Sequence, residues 1–165
     1  MSEINTVISS VVDSLSEYGI AAAAYPEGLK KHYAQPVTAV GIKQASAVSA
    51  GHGDYMGLRL DNGGQCREIY GRKLMLTLSL TVYSPKDGGY GAKGCTDVFG
   101  KIAAAVGSFP EGIKVKQLRC GEVKFDTAVD MFRLQAEADI TAFLYAEARD
   151  DGEYLDFTVR GELET

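Results

Sequence analysis

The residues Gly89-Tyr90-Gly91-Ala92-Lys93-Gly94 have the spacing G-x-G-x-x-G. In that pattern a glycine-rich turn at a helix N-terminus holds phosphate on backbone N–H groups. The segment before it argues against that use. Lys73 to Val82 alternates polar and apolar residues, whereas a dinucleotide-binding strand is parallel and apolar on both faces. The glycines therefore read as a loop leading into a helix, and Lys93 lacks the Ser or Thr that a P-loop places next. Ser49, His52 and Asp54 bring hydrolase residue types together within six residues, but a working triad comes from separate, rigidly held elements. Glu137 and Asp139 are two carboxylates on one side of an alternating segment. Glycosidase chemistry needs such a pair in a cleft that raises one pKa; on an open strand they read as a solvated polar face. His32 and His52, the two histidines, and Cys66, Cys95 and Cys120 form no metal-ligand spacing. No catalytic residue, metal ligand or cofactor is expected.

The bulk properties narrow the classes further. A chain of 165 residues with 45% hydrophobic and 24% charged side chains is of ordinary globular composition. It reads as one α+β domain spanning residues 1–165 that can bury a core without disulfides. The net charge of −5 gives no footprint for sequence-specific nucleic-acid binding. No apolar run is long enough to span a bilayer, and Met1-Ser2-Glu3-Ile4-Asn5 does not read as a signal peptide. Three widely spaced cysteines suit a reducing cytoplasm.

The elements that must position these residues follow from periodicity. Ile4, Val7, Ile8, Val11, Val12 and Leu15 form one helical stripe, with Ser2 as its N-cap and Gly19 as its stop. A second stripe runs through Val98, Phe99, Ile102, Ala105, Val106 and Phe109. Short strands are expected at Ile20 to Tyr25, with Pro26 suited to an edge, at Val37 to Val48 and at Ile113 to Leu118; Cys120 to Asp130 reads as a turn region. Lys73 to Val82 is a clear amphipathic strand ending at the breaker cluster Ser84 to Gly89. The strongest signal is Phe132 to Tyr145, apolar at every even position, which at about 3.3 Å per residue spans roughly 45 Å. A strand of that length exceeds what a small domain needs for itself. Arg149-Asp150-Asp151-Gly152 signals a turn, after which Leu155, Phe157 and Val159 form a strand pairing back. Between Gly51 and Gly64, Met56, Leu58 and Leu60 alternate before the turn pair Asn62-Gly63. The 51–64 segment reads either as a projecting hairpin arm or as a surface loop. The expected fold is an antiparallel sheet with two amphipathic helices on one face.

The order of these elements, with Leu76-Thr77-Leu78-Ser79-Leu80-Thr81-Val82-Tyr83-Ser84-Pro85 and the loop and helix around Cys95-Thr96-Asp97-Val98-Phe99, resembles the tail terminator, or tail-completion, proteins of long-tailed bacteriophages and prophage-derived particles. The resemblance runs from Ser2 to Arg160. It implies a structural virion protein, not an enzyme, that forms a homo-hexameric ring on the tail tube, ends tube polymerisation and offers a surface to a head-completion or connector protein. It implies assembly in the bacterial cytoplasm and residence in the virion tail. On that reading Met56, Leu58, Leu60, Tyr83 and Tyr90 are candidate assembly contacts, and Glu137 and Asp139 face a channel. A different ring component of the same particle, such as a tube or head-completion subunit, and a small ligand-binding or enzymatic domain are the alternatives.

Overall fold

A computed structural model describes residues 3–24, 33–110, 112–148 and 154–158. The chain runs α1 (Glu3–Glu17), β1 (Ala22–Ala24), β2 (Val37–Ser49), β3 (Tyr55–Leu60), β4 (Cys66–Pro85), α2 (Gly91–Ala105), β5 (Lys114–Asp126), β6 (Met131–Ala148) and β7 (Tyr154–Thr158). The strands form one open sheet in the order β1-β2-β4-β6-β5, with β3 added to β4 and β7 to β6. The fold is α+β, as the periodicities predict. All pairings are antiparallel except β1 with β2, which is parallel, so the expected antiparallel sheet is in fact mixed.

Both helices cover the same face. Val7, Val11 and Leu15 of α1 and Cys95, Val98, Ile102 and Ala105 of α2 pack on Leu74, Leu76, Leu78, Leu80 and Val82 of β4 and on the even-numbered residues Leu134 to Ala142 of β6. α1 ends in a Schellman motif: Gly19 has φ +82°, its N–H donates to Ser16 O at 3.0 Å and that of Ile20 donates to Leu15 O at 2.9 Å. Ile20 and Leu15 are both buried, supplying the apolar contact that accompanies this cap. The Ser2 cap, the Pro26 edge and the Arg149 to Gly152 turn lie outside the described residues.

Three strands depart from their sequence signals. β4 is longer than its alternating segment, because Cys66 to Lys73 continues it under pairing from β3 and β6. β5 reaches Asp126, through residues read as a turn, because bulges between Val115 and Gln117 and between Cys120 and Val123 break its alternation without ending its ladder. The 51–64 segment is a paired hairpin, not a loop. Its turn is also not the two-residue Asn62-Gly63 form. Gly64 takes the positive φ of +78°, its N–H donates to Asp61 O at 3.0 Å, and the Asp61 carboxylate accepts from Gly63 N and Gln65 N, both at 2.9 Å. That is a three-residue loop with glycine at its left-handed position. The Gln65 N–H, with further help from Gly63 and Arg67, holds the Asp61 carboxyl below its usual range.

A candidate assembly surface

β4, at 20 residues, extends about 65 Å at the usual rise per residue, but the helix-covered core reaches only to Leu74 on it. Beyond Leu74 the sheet continues as β3, the first part of β4, the end of β6, and β7. Even-numbered β4 residues lie on the helix side, and register sets Leu60 opposite Cys66, Leu58 opposite Glu68 and Tyr55 opposite Tyr70. The uncovered helix-side face therefore carries Tyr55, Leu58 and Leu60. Leu58 and Leu60 are 63% and 66% exposed, and Tyr55 meets Tyr70 edge-on at 5.6 Å between ring centroids. Burying both leucines against a partner would contribute about 1.5–3 kcal/mol each.

The structure brings together three of the five candidate contacts. Leu58 and Leu60 are exposed on the hairpin, and Met56 is half-buried at its bulge. Tyr90 is exposed but stands at the start of α2, near the Pro85 end of β4. Tyr83 must be withdrawn as a surface contact: its side chain is 7% exposed and packs with Ala39 and Met131 under Tyr33 and Val129. Those last two residues close a corner of the otherwise open face, which alternation alone would leave wet.

The opposite, helix-free face carries Glu137 and Asp139 in an ion-pair network spread over four strands. Arg119 on β5 donates from Nη2 to Glu137 Oε2 at 2.6 Å and from Nη1 to Asp139 Oδ2 at 2.5 Å. Lys43, the bulged residue of β2, donates from Nζ to Glu137 Oε1, and Thr77 of β4 donates to Asp139 Oδ1 at 2.8 Å. Lys43 first, then Arg119, holds the Glu137 carboxyl below its ordinary range. Arg119 and then Thr77 do the same for Asp139, and these acids in turn raise Arg119. Two acids are matched by two bases, so the pair does not present the unbalanced acidic surface expected of a channel lining. Sequence gave no sign of this network, since Lys43 and Glu137 are 94 positions apart.

The edges of the sheet differ. Among the described residues β1 pairs only with Thr38 to Val40 on the outer side of β2, leaving Gly41 to Ser49 unpaired there. Its last part, Gln44-Ala45-Ser46-Ala47-Val48-Ser49, is exposed and holds no charge and no proline. β5, the opposite edge, carries two bulges and Lys114, Lys116 and Lys124, the features by which proteins blunt an edge. The β2 edge has one bulge and one lysine, both at Lys43, and neither feature from Gln44 to Ser49.

The other chemically suggestive groups are occupied by structural roles. β4 is antiparallel to both its neighbours, unlike the first strand of a dinucleotide-binding unit. Gly94 of the glycine pattern is where α2 touches β4: a Cβ there would lie 2.3 Å from Ser84 Oγ, and Ser84 donates to Gly91 O at 2.7 Å. The Ser49 hydroxyl donates to Gly51 O, and Asp54 pairs with Arg72 at 3.5 Å. Burial pushes the Cys95 thiol up to about 11, while Cys66 and Cys120 are exposed. Among the described residues no three His, Cys, Asp or Glu side chains converge as metal ligands, and no helix is long and apolar enough to cross a membrane. A cleft of about 200 Å³ between Tyr33, Pro85, Lys86 and Met131 is smaller than usual ligand pockets, and Asp130 pairs across it with Lys86 at 2.8 Å. In comparison with known proteins, no family model and no curated protein sequence matches this chain.

Proposed function

We propose that this chain is a structural assembly subunit, a tail-terminator-like protein that forms a homo-hexameric ring on a tail tube, stops its growth and offers the joining surface for a head-completion protein. The observation carrying the proposal is the sheet that outruns its core: strands of 20 and 18 residues project an uncovered face with Leu58 and Leu60 exposed, beside an unguarded β2 edge. An isolated subunit with such a face and edge is prone to pair with other chains. A ring of copies would cover both, because cyclic closure satisfies an edge that a monomer leaves open. The resemblance in element order supplies the particular ring and its place in the virion.

The test adds purified protein to growing tail tubes and measures tube lengths by negative-stain microscopy. Wild type is expected to halt growth at one end, and Leu58→Ser with Leu60→Ser to leave tubes growing while melting at nearly the wild-type temperature. Incorporation along the length of the tube would make the chain a tube subunit instead.

A further inference from the structure

The sheet exposes apolar side chains on both of its faces. On the helix side, beyond Leu74, stand Tyr55, Leu58 and Leu60, with the exposed Glu68 directly opposite Leu58. Glu68 accepts from the Tyr70 hydroxyl at 2.9 Å and forms no ion pair among the described residues. A second patch lies on the helix-free face, where the odd-numbered β4 residues point. Register sets Val48 of β2 and Phe143 of β6 on either side of Lys73, and Ser46 and Thr141 on either side of Met75. Val48 and Met75 are 41% and 47% exposed, and Phe143 is half-buried. Lys114 stands opposite Thr141 at the rim of this patch. Lys73 and Lys114 form no ion pair among the described residues. One patch thus combines apolar area with an unmatched acid, and the other combines it with two unmatched bases.

We propose that the two patches are the halves of one contact between copies of the chain: the Leu58 and Leu60 patch of one copy packs on the Val48, Met75 and Phe143 patch of the next, with Glu68 against Lys73. Charge complementarity selects a second copy as the occupant, since each patch carries the sign that the other lacks, and opposite charges fix partner and register. The apolar area on each side suits packing of one sheet on another. Because the patches lie on opposite faces of one sheet, they cannot meet within a subunit. The contact is therefore heterologous. Each copy offers one patch to the neighbour on one side and the other patch to the neighbour on the other, so contacts do not stop at a pair and build a ring when the rotation closes. This inference rests on the assembly reading and names the contact that makes the ring.

Cysteine cross-linking of the full chain, with and without tail tubes, tests it. Cys66 is exposed opposite Leu60 on the helix side, so Met75→Cys with Cys120→Ser places one reactive thiol in each patch. The two positions are nine residues apart on β4, about 30 Å at the rise of a strand, and on opposite faces, so a short bis-maleimide joins them only between copies. The expected product on a denaturing gel is a ladder from dimer to hexamer, absent when Met75 is retained. Glu68→Lys and Lys73→Glu should each weaken association about tenfold by sedimentation velocity, and together restore it, since the exchanged signs match again. Circular dichroism melts of each variant separate lost association from lost folding. Rings that form without the cross-link, or a dimer joined through Cys66 of both copies, would overturn this contact while leaving the assembly reading intact. Cross-links to the tube protein alone would assign the patch to the tube and overturn the proposal. No association under any condition, with or without tubes, would overturn both.

Discussion

At the level of single residues the structure separates groups that look alike in the sequence. Gly94 and Gly100 both lie in α2, yet a Cβ at Gly94 would meet Ser84 Oγ at 2.3 Å while one at Gly100 would meet nothing within 4 Å. Gly94→Ala should therefore destabilise by about 1–3 kcal/mol through overpacking. Gly100→Ala should stabilise by about 0.5–1 kcal/mol through reduced backbone entropy; urea melts of both variants check the pair. Cys66 and Cys120 should react with a thiol reagent in the native protein and Cys95 only after unfolding, because its thiol is buried and pushed up to about 11. A stoichiometry of two thiols under native conditions and three in denaturant checks this. Glu137 and Asp139 have carboxyls lowered by Lys43 and Arg119. A lowered folded-state pKa means stability present above the ordinary carboxylate range and lost as pH falls through it. Wild type should thus melt higher than Glu137→Gln, Asp139→Asn at neutral pH, and the two melting temperatures should converge in acid.

The elements were legible in the sequence wherever one periodicity ran unbroken. Both helical stripes, the alternation of β6 and the Gly19 stop all correspond to elements found, because each reports burial of a single face. β5 was cut short by its two bulges, each of which resets the phase of alternation. The start of β4, Cys66-Arg67-Glu68, carries no strand pattern; it is a strand because β3 and β6 flank it, and sequence does not reveal its neighbours. The ion-pair network was illegible for the same reason, and so was the place of Val37 to Val48 beside the sheet edge, which only the pairing of β1 and β4 with β2 reveals. The hairpin is paired yet absent from the helix-covered core. Removing residues 53–64 should therefore preserve the near-native melt and abolish assembly; wholesale unfolding, seen by circular dichroism, would show that β4 needs the hairpin to remain a strand.

For the whole molecule, the arrangement is a small helix-covered core from which a long sheet projects, with exposed apolar residues on the projecting end. Such a chain has more strand than its core covers, and this is the physical basis for reading it as a part of something larger. The measurement that tests this most directly is mass by light scattering across a concentration range, paired with negative-stain images of the same samples with and without tail tubes. Closed rings of one size, or a monomer that gathers at tube ends, is the predicted result. A monomer at every concentration that leaves tubes uncapped would contradict the account.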